Sequence, residues 1–334
     1  MLRLPRFRYV SPPTLEEAIR LRTEHADSSM YVAGGTDVYP KMKRRQFQPE
    51  VVISLGRVVS DGFADGTGTS FAEQGPLPPG LRIGANASLT AVSEHPKVRE
   101  GYAALAQAAS LISTPQLRNM GTIGGNICLD TRCNWYDQSL FWRTAEGFCM
   151  KTNAEVVCRV APSSPRCLAV ASADTVPALI ALGASVHVAG PSGERVVELA
   201  ECYRDDGIRY LTLAPGEVVT EVRLPPRDGW KSTYLKLRDR GSFDFPIAGL
   251  AAAVRWDGAK VAEARVAITA LASRPVAVDA SALVGTALED DAIAVVADAV
   301  HKAARPMDNT SGTISQRKRA SRVFAERALR SLRT

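Results

Sequence analysis

The chain has 334 residues, of which 46% are hydrophobic and 23% are charged, the composition of an ordinary globular protein long enough for two domains. No apolar segment follows the first residues, so we expect no secretory signal, and the apolar run at 176–188 is too short to span a bilayer. The net charge of +6 comes without an RNA-binding or zinc-finger pattern, so we expect a cytoplasmic protein that binds neither membranes nor nucleic acids.

Helices and strands alternate along the chain. Thr14 and Glu17 fit a capping box, which predicts that a helix begins there. Hydrophobic periodicity predicts the other elements: strands at 31–33, 51–55, 81–85, 184–188, 234–237, 249–255 and 262–268, and helices at 88–93, 103–112, 175–182 and after the last strand. A Pro-Pro-Arg-Asp-Gly segment at 225–229 predicts a boundary. We therefore expect an α+β fold with domains at 1–225 and 229–334.

The C-terminal stretch combines basic and apolar residues at helical spacing. This pattern predicts an amphipathic surface helix, although docking to another subunit or contact with a phosphate would use the same residues. The basic members are Arg317, Lys318, Arg319, Arg322, Arg327, Arg330 and Arg333, and the apolar ones are Val323, Phe324, Leu329 and Leu332.

Two glycine segments are candidate phosphate-binding sites: Ala-Gly-Gly-Thr-Asp at 33–37, directly after a predicted strand, and Gly-Thr-Ile-Gly-Gly-Asn at 121–126. Glycines let successive N–H groups converge on an anion, and Thr36 and Thr122 can add hydroxyl hydrogen bonds. Neither segment is a Walker A or Gly-x-Gly-x-x-Gly sequence, which argues against a P-loop NTPase and a nicotinamide-binding Rossmann domain. Each segment taken alone is equally consistent with a tight turn.

In their order and separation, the two segments resemble the flavin-binding subunit of the xanthine oxidase family, which includes the medium subunit of aerobic CO dehydrogenase. The resemblance extends to Thr-Pro-Gln-Leu-Arg at 114–118 and to 172–179, and it covers nearly the whole chain. It implies a two-part FAD-binding domain followed by a smaller α+β C-terminal domain. Val38 and Tyr39 depart from the family, which often has leucine after the first segment.

The resemblance also implies which residues contact FAD. The glycine segments would hold the pyrophosphate, and Ile112 would lie close to the ring system. From the residues alone, Asp174 could instead cap the helix that follows it, and Lys236 could be a solvated strand lysine. The implied FAD residues are Val32, Ala33, Gly34, Gly35, Thr36, Asp37, Ile112, Gly121, Thr122, Ile123, Gly124, Gly125, Asn126, Asp174 and Lys236. No catalytic triad or carboxylate pair is evident, so substrate chemistry is expected on another chain.

Five of the six cysteines lie between 128 and 167, in a stretch without periodicity. In a reducing compartment such a group is more typical of metal binding than of disulfides, and a loop of this length needs a functional reason such as a bound metal. Four thiolates suit a [4Fe–4S] cluster. Zinc also accepts four sulfurs, although paired Cys-x₂₋₄-Cys spacing is absent, and buried or redox cysteines without a metal are a third interpretation.

Segments 128–133, 136–139, 142–143, 147–149 and 166–167 resemble the β subunits of 4-hydroxybenzoyl-CoA reductases, which bind FAD and an additional [4Fe–4S] cluster in an insertion. The resemblance implies an insertion at 128–168 with Cys133, Cys149, Cys158 and Cys167 as cluster ligands, while Cys128 is a non-ligand. Cys202 is expected to be a buried structural thiol.

The same resemblance implies the partners and the reaction. The partners are a large subunit with the molybdenum cofactor, a small [2Fe–2S] subunit and an external electron carrier such as ferredoxin, assembled as a dimer of heterotrimers. The net reaction is reductive removal of a phenolic hydroxyl from the thioester's ring. Two other interpretations stay open: the flavin subunit of a hydroxylase for another aromatic or heterocyclic substrate, and a zinc-stabilised docking or scaffold protein.

Overall fold

The first part of the chain forms a small parallel sheet with strand order β1-β3-β2. The computed structural model describes residues 3–65 and 80–333; residues 1, 2 and 334, at the ends of the two expected domains, and 66–79 lie outside it. As the capping box predicts, the Thr14 side chain accepts a hydrogen bond from the amide of Glu17 at the start of the first helix. The elements are β1 (Arg8–Val10), α1 (Leu15–His25), β2 (Ser29–Val32), α2 (Val38–Lys43) and β3 (Val51–Ser54).

A five-stranded antiparallel sheet with order β4-β5-β8-β6-β7 forms the second layer. Helices cover it, and its core includes Ile83, Val186 and Val222. The elements are β4 (Phe63–Asp65), β5 (Leu81–Gly84), α3 (Leu89–Glu94), α4 (Pro96–Gly101), α5 (Ala103–Ser110), α6 (Pro115–Met120), α7 (Ile123–Ile127), α8 (Leu140–Glu146), α9 (Thr175–Ala181), β6 (Ser185–Gly190), β7 (Gly193–Glu198) and β8 (Val218–Leu224).

Side-chain caps fix where several of these helices begin. Ser88, Thr114, Thr122 and Ser139 each accept a backbone N–H from three residues ahead, and each such cap is worth about 1 kcal/mol. Two of them correct the sequence interpretation. The second glycine segment is not a loop throughout, since α7 begins inside it, and the stretch expected to lack regular structure contains α8.

The C-terminal part is an antiparallel sheet with order β12-β11-β10-β9 packed against two helices. Their buried side chains form a core of their own. The elements are β9 (Trp230–Leu237), β10 (Ala248–Asp257), β11 (Lys260–Thr269), β12 (Val276–Val278), α10 (Asp290–Ala303) and α11 (Ile314–Ser331). No helix in residues 3–65 and 80–333 is long and apolar enough to cross a membrane.

Alanines join the two parts of the protein. Ala104 and Ala178, from α5 and α9, are buried with Ala251 and Ala253 of β10 and with Tyr234 of β9. Small side chains let helix and sheet backbones approach closely, and a packed interior holds that arrangement rigidly. As a result β9 lies next to the N-terminal end of α9, where the candidate site is found.

Arg317 of α11 corrects the expectation of a basic surface helix. Its side chain is fully buried, because the helix turns this position toward the sheet. The guanidinium donates hydrogen bonds to the carbonyls of Ile247 at 3.1 Å and Met307 at 2.8 Å, and also to that of Ala270. Burial lowers the pKa of Arg317 to about 10. The helix is therefore fixed to the sheet by a buried cation.

Arg317→Met is expected to destabilise the protein by about 2 kcal/mol, because buried carbonyls lose their donor. Urea denaturation would measure the change in unfolding free energy. Arg319→Met, on the exposed side of the same helix, is the matched control and should change it by less than about 0.5 kcal/mol. Equal effects of the two substitutions would contradict an anchoring role for Arg317.

Candidate functional site

A cleft of about 820 Å³ opens between the two glycine segments. Ile112 and Asp174 also lie on its wall, and both belong to the predicted set. Three predicted residues do not line it: Val32 and Ile123 are buried in the layers behind it, and Lys236 lies behind Asp174. Those that do are Ala33, Gly34, Gly35, Thr36, Asp37, Ile112, Gly121, Thr122, Gly124, Gly125, Asn126 and Asp174.

The first glycine segment packs directly on the residues that precede the second. A Cβ added to Gly34 would lie 1.8 Å from the carbonyl oxygen of Met120, and Gly35 has a φ of +71°, so both positions require glycine. Within residues 3–65 and 80–333, no group accepts a hydrogen bond from the N–H of Gly34, Gly35 or Thr36. Tyr39, one of the two departures from the family, packs its ring against Gly35. The exposed N–H groups suit an anionic ligand.

The second glycine segment is held from both sides. A Cβ on Gly124 would lie 2.8 Å from that of Ala85, so only glycine lets α7 approach the end of β5. The Thr122 hydroxyl accepts the N–H of Gly125 at 3.0 Å, and is thus used as a helix cap. Asn126 accepts hydrogen bonds from the N–H and hydroxyl of Thr175 at 3.2 and 2.6 Å. These contacts fix α7 relative to α9.

Asp174 and Lys236 form a buried ion pair at the wall of the cleft. Lys236 Nζ lies 3.0 Å from Asp174 Oδ2 and also donates to the carbonyls of Leu111 and Asp244. The Tyr234 hydroxyl donates to Asp174 Oδ1 at 2.7 Å. Burial raises the pKa of Asp174, which the charge of Lys236 opposes, and burial lowers the pKa of Lys236.

This pairing corrects both alternative interpretations. The Lys236 side chain is 1% exposed, so it is not a solvated lysine. Asp174 occupies the N-cap position of α9 but its carboxylate caps no helix N–H, because it is turned toward β9 instead.

Cys133, Cys149, Cys158 and Cys167 line one small cavity. All four thiols are buried, with residue exposures of 6–7%. Burial raises the pKa of Cys133 to about 12, so that thiol is neutral unless a cation binds it. Cys128 is a free thiol on the wall of the cleft between the glycine segments, and Cys202 lies in the core under the five-stranded sheet.

The cysteine stretch is closed at its base and fixed to its surroundings. Arg132 and Val170 exchange backbone hydrogen bonds of 2.9 and 2.8 Å, which bring its two ends together. Arg143 donates to the carbonyl of Arg44, just beyond α2, at 2.9 Å. No three His, Cys, Asp or Glu side chains in the described residues are arranged to hold one metal ion.

Comparison with known proteins gives the family. The family model described as the FAD-binding domain in molybdopterin dehydrogenase matches residues 5–227. A second model, the CO dehydrogenase flavoprotein C-terminal domain, matches residues 232–332. The chain belongs to this flavoprotein family. Its relatives are subunits of molybdenum-containing oxidoreductases. The chain is likewise an oxidoreductase subunit, and is called the flavoprotein subunit below.

Its similarity to these relatives runs nearly end to end. The aldehyde oxidoreductase FAD-binding subunit of Escherichia coli K12 is 30% identical over 335 residues, covering 96% of this chain and 98% of the relative. The carbon monoxide dehydrogenase medium chain of Hydrogenophaga pseudoflava is 29% identical, covering 97% and 96%. A solved structure of that organism's carbon monoxide dehydrogenase, lacking the Mo-pyranopterin moiety, aligns with a TM-score of 0.77 and 26% identity, covering 99% and 98%.

The residues of the flavoprotein subunit fit a bound dinucleotide. The first glycine segment presents the unpaired N–H groups of residues 34–36 to the cleft, whereas the N–H groups of Gly121 and of residues 123–126 are already bonded within the protein. The Ser172 hydroxyl on the cleft wall is buried without a hydrogen-bond partner in the described residues, and a buried hydroxyl without a partner is costly unless a ligand supplies one. Burial raises the pKa of Asp37 and raises that of Tyr210 well above its ordinary value.

Sequence reasoning missed several residues of the cleft. Arg132, Tyr210 and Phe245 line it, and the Arg132 guanidinium lies 3.6 Å from the centre of the Phe245 ring. None belongs to a motif that marks a flavin site. Ser172 stood inside the segment that resembled the family, which was the one available signal.

Proposed function

We propose that the flavoprotein subunit is an electron-transfer subunit that carries both FAD and a [4Fe–4S] cluster. The observation that carries the proposal is the cavity lined by four buried cysteines beside the flavin cleft. A cubane places each thiolate on its own iron, so ligands must surround a volume. A single zinc ion would need all its sulfurs about 2.3 Å from one point, and the paired Cys-x₂₋₄-Cys spacing typical of such sites is absent among these four cysteines.

The proposed FAD site uses the residues around the cleft. When bound, FAD supplies one- and two-electron chemistry. The N–H groups at 34–36 hold its pyrophosphate, Ser172 donates to one of its polar atoms, and Asp174 is kept in place by Lys236 and Tyr234.

The proposal extends to partners. The relatives include medium chains and an FAD-binding subunit, which supports assembly with a molybdenum-cofactor large subunit and a [2Fe–2S] small subunit, as a dimer of heterotrimers. An external carrier such as ferredoxin would exchange electrons at the cysteine insertion. The six cysteines are free thiols, which supports a reducing, cytoplasmic location.

For the whole complex we propose reductive dehydroxylation of the 4-hydroxybenzoyl-CoA type, because the cysteine insertion at 128–168 resembles that of 4-hydroxybenzoyl-CoA reductase β subunits. A second candidate is oxidation or hydroxylation of another substrate. It is favoured by relatives named for aldehyde, carbon monoxide and nicotinate. Activity of the assembled complex with each substrate would separate the two.

Anaerobic purification tests the cofactors directly. The chain is expected to show flavin absorption bands with a broad iron–sulfur shoulder, and close to four irons per chain. A colourless protein that contains zinc would overturn the proposal.

Cys149→Ser is expected to lower the iron content to less than half while FAD per chain stays unchanged, because the two sites have separate walls. The matched control is Cys202→Ser, where the new hydroxyl can replace the thiol as donor to the Glu198 carbonyl; its iron content should equal that of the wild type. Unchanged iron in Cys149→Ser would show that the ligand assignment is wrong.

A further inference from the structure

Three buried charged side chains join the flavin cleft to the cysteine cavity. Lys41 lines the cleft and Lys151 lines the cavity. Asp130 lies between them: its Oδ2 accepts a hydrogen bond from Lys41, and its Oδ1 accepts one from Lys151 at 2.6 Å. The side chains are only 2–8% exposed. One carboxylate is therefore shared by two ammonium groups that face different sites.

Asp130 forms an ion pair with both lysines, and burial lowers the pKa of Lys41, which the carboxylates of Asp130 and the nearby Asp137 oppose. Within residues 3–65 and 80–333, no second carboxylate forms an ion pair with either lysine. The ring of Tyr136 lies over both ammonium groups, at 4.9 Å from that of Lys41 and 4.6 Å from that of Lys151, and it adds no charge of its own. A buried ammonium is costly unless an anion lies near it. Lys151, which shares Asp130 with Lys41, thus suits a neighbouring site that gains negative charge.

Lys151 is held at the wall of the cysteine cavity. Its ammonium donates to the carbonyl of Gly207 at 2.7 Å. Gly207 in turn packs on Cys167, since an added Cβ would lie 2.7 Å from the sulfur, and its N–H donates to the Cys167 carbonyl at 2.8 Å. The ammonium is therefore fixed at the wall of the cavity that Cys167 lines, where it can act electrostatically on a group bound there.

We propose that Lys151 raises the reduction potential of the cluster in the cysteine cavity, and that Asp130, shared with Lys41, limits how much of this positive charge the cluster experiences. The inference rests on the proposed function, because it requires the cluster. A one-electron reduction adds one negative charge to the cluster, and a nearby cation stabilises that state. Asp130 opposes the effect by neutralising part of the charge.

Lys151→Met tests the first part. Methionine removes the charge while filling similar space, and Asp130 keeps its partner Lys41, so no carboxylate is left unpaired. In the full chain, purified anaerobically, we expect unchanged iron content and a tenfold or larger decrease in the equilibrium constant for cluster reduction, which is about 59 mV for a one-electron couple. An EPR-monitored titration with dithionite would measure it. The matched control, Lys97→Met, removes a lysine from an exposed pair with Asp65 and should leave the potential unchanged.

Asp130→Asn tests the second part and should shift the potential in the opposite direction, because both ammonium groups then lack a counter-charge. If Lys151→Met keeps its cluster and its equilibrium constant for cluster reduction stays within a factor of two of the wild-type value, the inference is overturned and the proposed function stays intact. Shifts of the same sign in the two variants would also overturn it. A wild-type chain with FAD but no iron would instead remove the cluster itself, and with it this inference.

Discussion

Gly34→Ala is expected to weaken FAD binding at least tenfold relative to the wild type. The added methyl group would collide with the Met120 carbonyl, which is backbone and cannot rotate away. The two glycine segments would have to separate, and overpacking of this kind costs about 1–3 kcal/mol or more. The N–H groups that face the cleft would no longer converge on one anion. Titration of the FAD-free chain, followed by flavin fluorescence, would measure the dissociation constant.

Gly241→Ala is the matched control, because a Cβ at that position meets nothing within 4 Å. Its FAD affinity should equal that of the wild type. Gly124→Ala extends the test to the second segment, since its new Cβ would lie 2.8 Å from the Cβ of Ala85 and 2.9 Å from its carbonyl oxygen. Circular dichroism would check that each variant is folded. A folded Gly34→Ala chain with wild-type affinity would show that the contact between the glycine segments does not shape the site.

Local patterns in the sequence predicted the features that depend on neighbouring residues. The cap at Thr14 needs only the amide of Glu17, and the glycine segments mark places where the backbone must turn or approach closely. The α+β class followed from the spacing of apolar residues. The two-part architecture was predicted only from the family resemblance, because each glycine segment alone was consistent with an ordinary turn.

The charged residues of the interior could not be predicted in this way. Lys41 pairs with a residue 89 positions away and Lys236 with one 62 positions away, while Arg317 donates to a carbonyl 70 positions away. In the sequence each is a basic residue like any surface lysine or arginine. Their burial depends on which segments the fold brings together, and no local pattern records that.

Lys236→Met is expected to lower the free energy of unfolding by about 3–5 kcal/mol near neutral pH, because it leaves the buried carboxylate of Asp174 without its counter-charge. The Tyr234 hydroxyl bond alone does not compensate for that charge. Urea denaturation would measure the loss. The matched control is Lys231→Met on the same strand, where the side chain is exposed, and it should change stability by less than about 0.5 kcal/mol.

The stability lost in Lys236→Met should depend on pH. Burial already raises the pKa of Asp174, and Lys236 opposes that rise, so the pKa rises further in Lys236→Met. A raised carboxyl pKa in the folded state favours the protonated form, and the associated stability is lost as pH rises through that pKa. The deficit of the variant should therefore shrink as the pH falls from about 8 to about 5.

A double variant separates charge from packing. Asp174→Asn combined with Lys236→Met removes both charges, and it should recover most of the stability lost in Lys236→Met because no unpaired buried ion is left. A deficit that is independent of pH and is not recovered in the double variant would mean that the lysine acts through its packed methylene chain and its bonds to the Leu111 and Asp244 carbonyls. In that case the ion pair would not be what holds β9 against the start of α9.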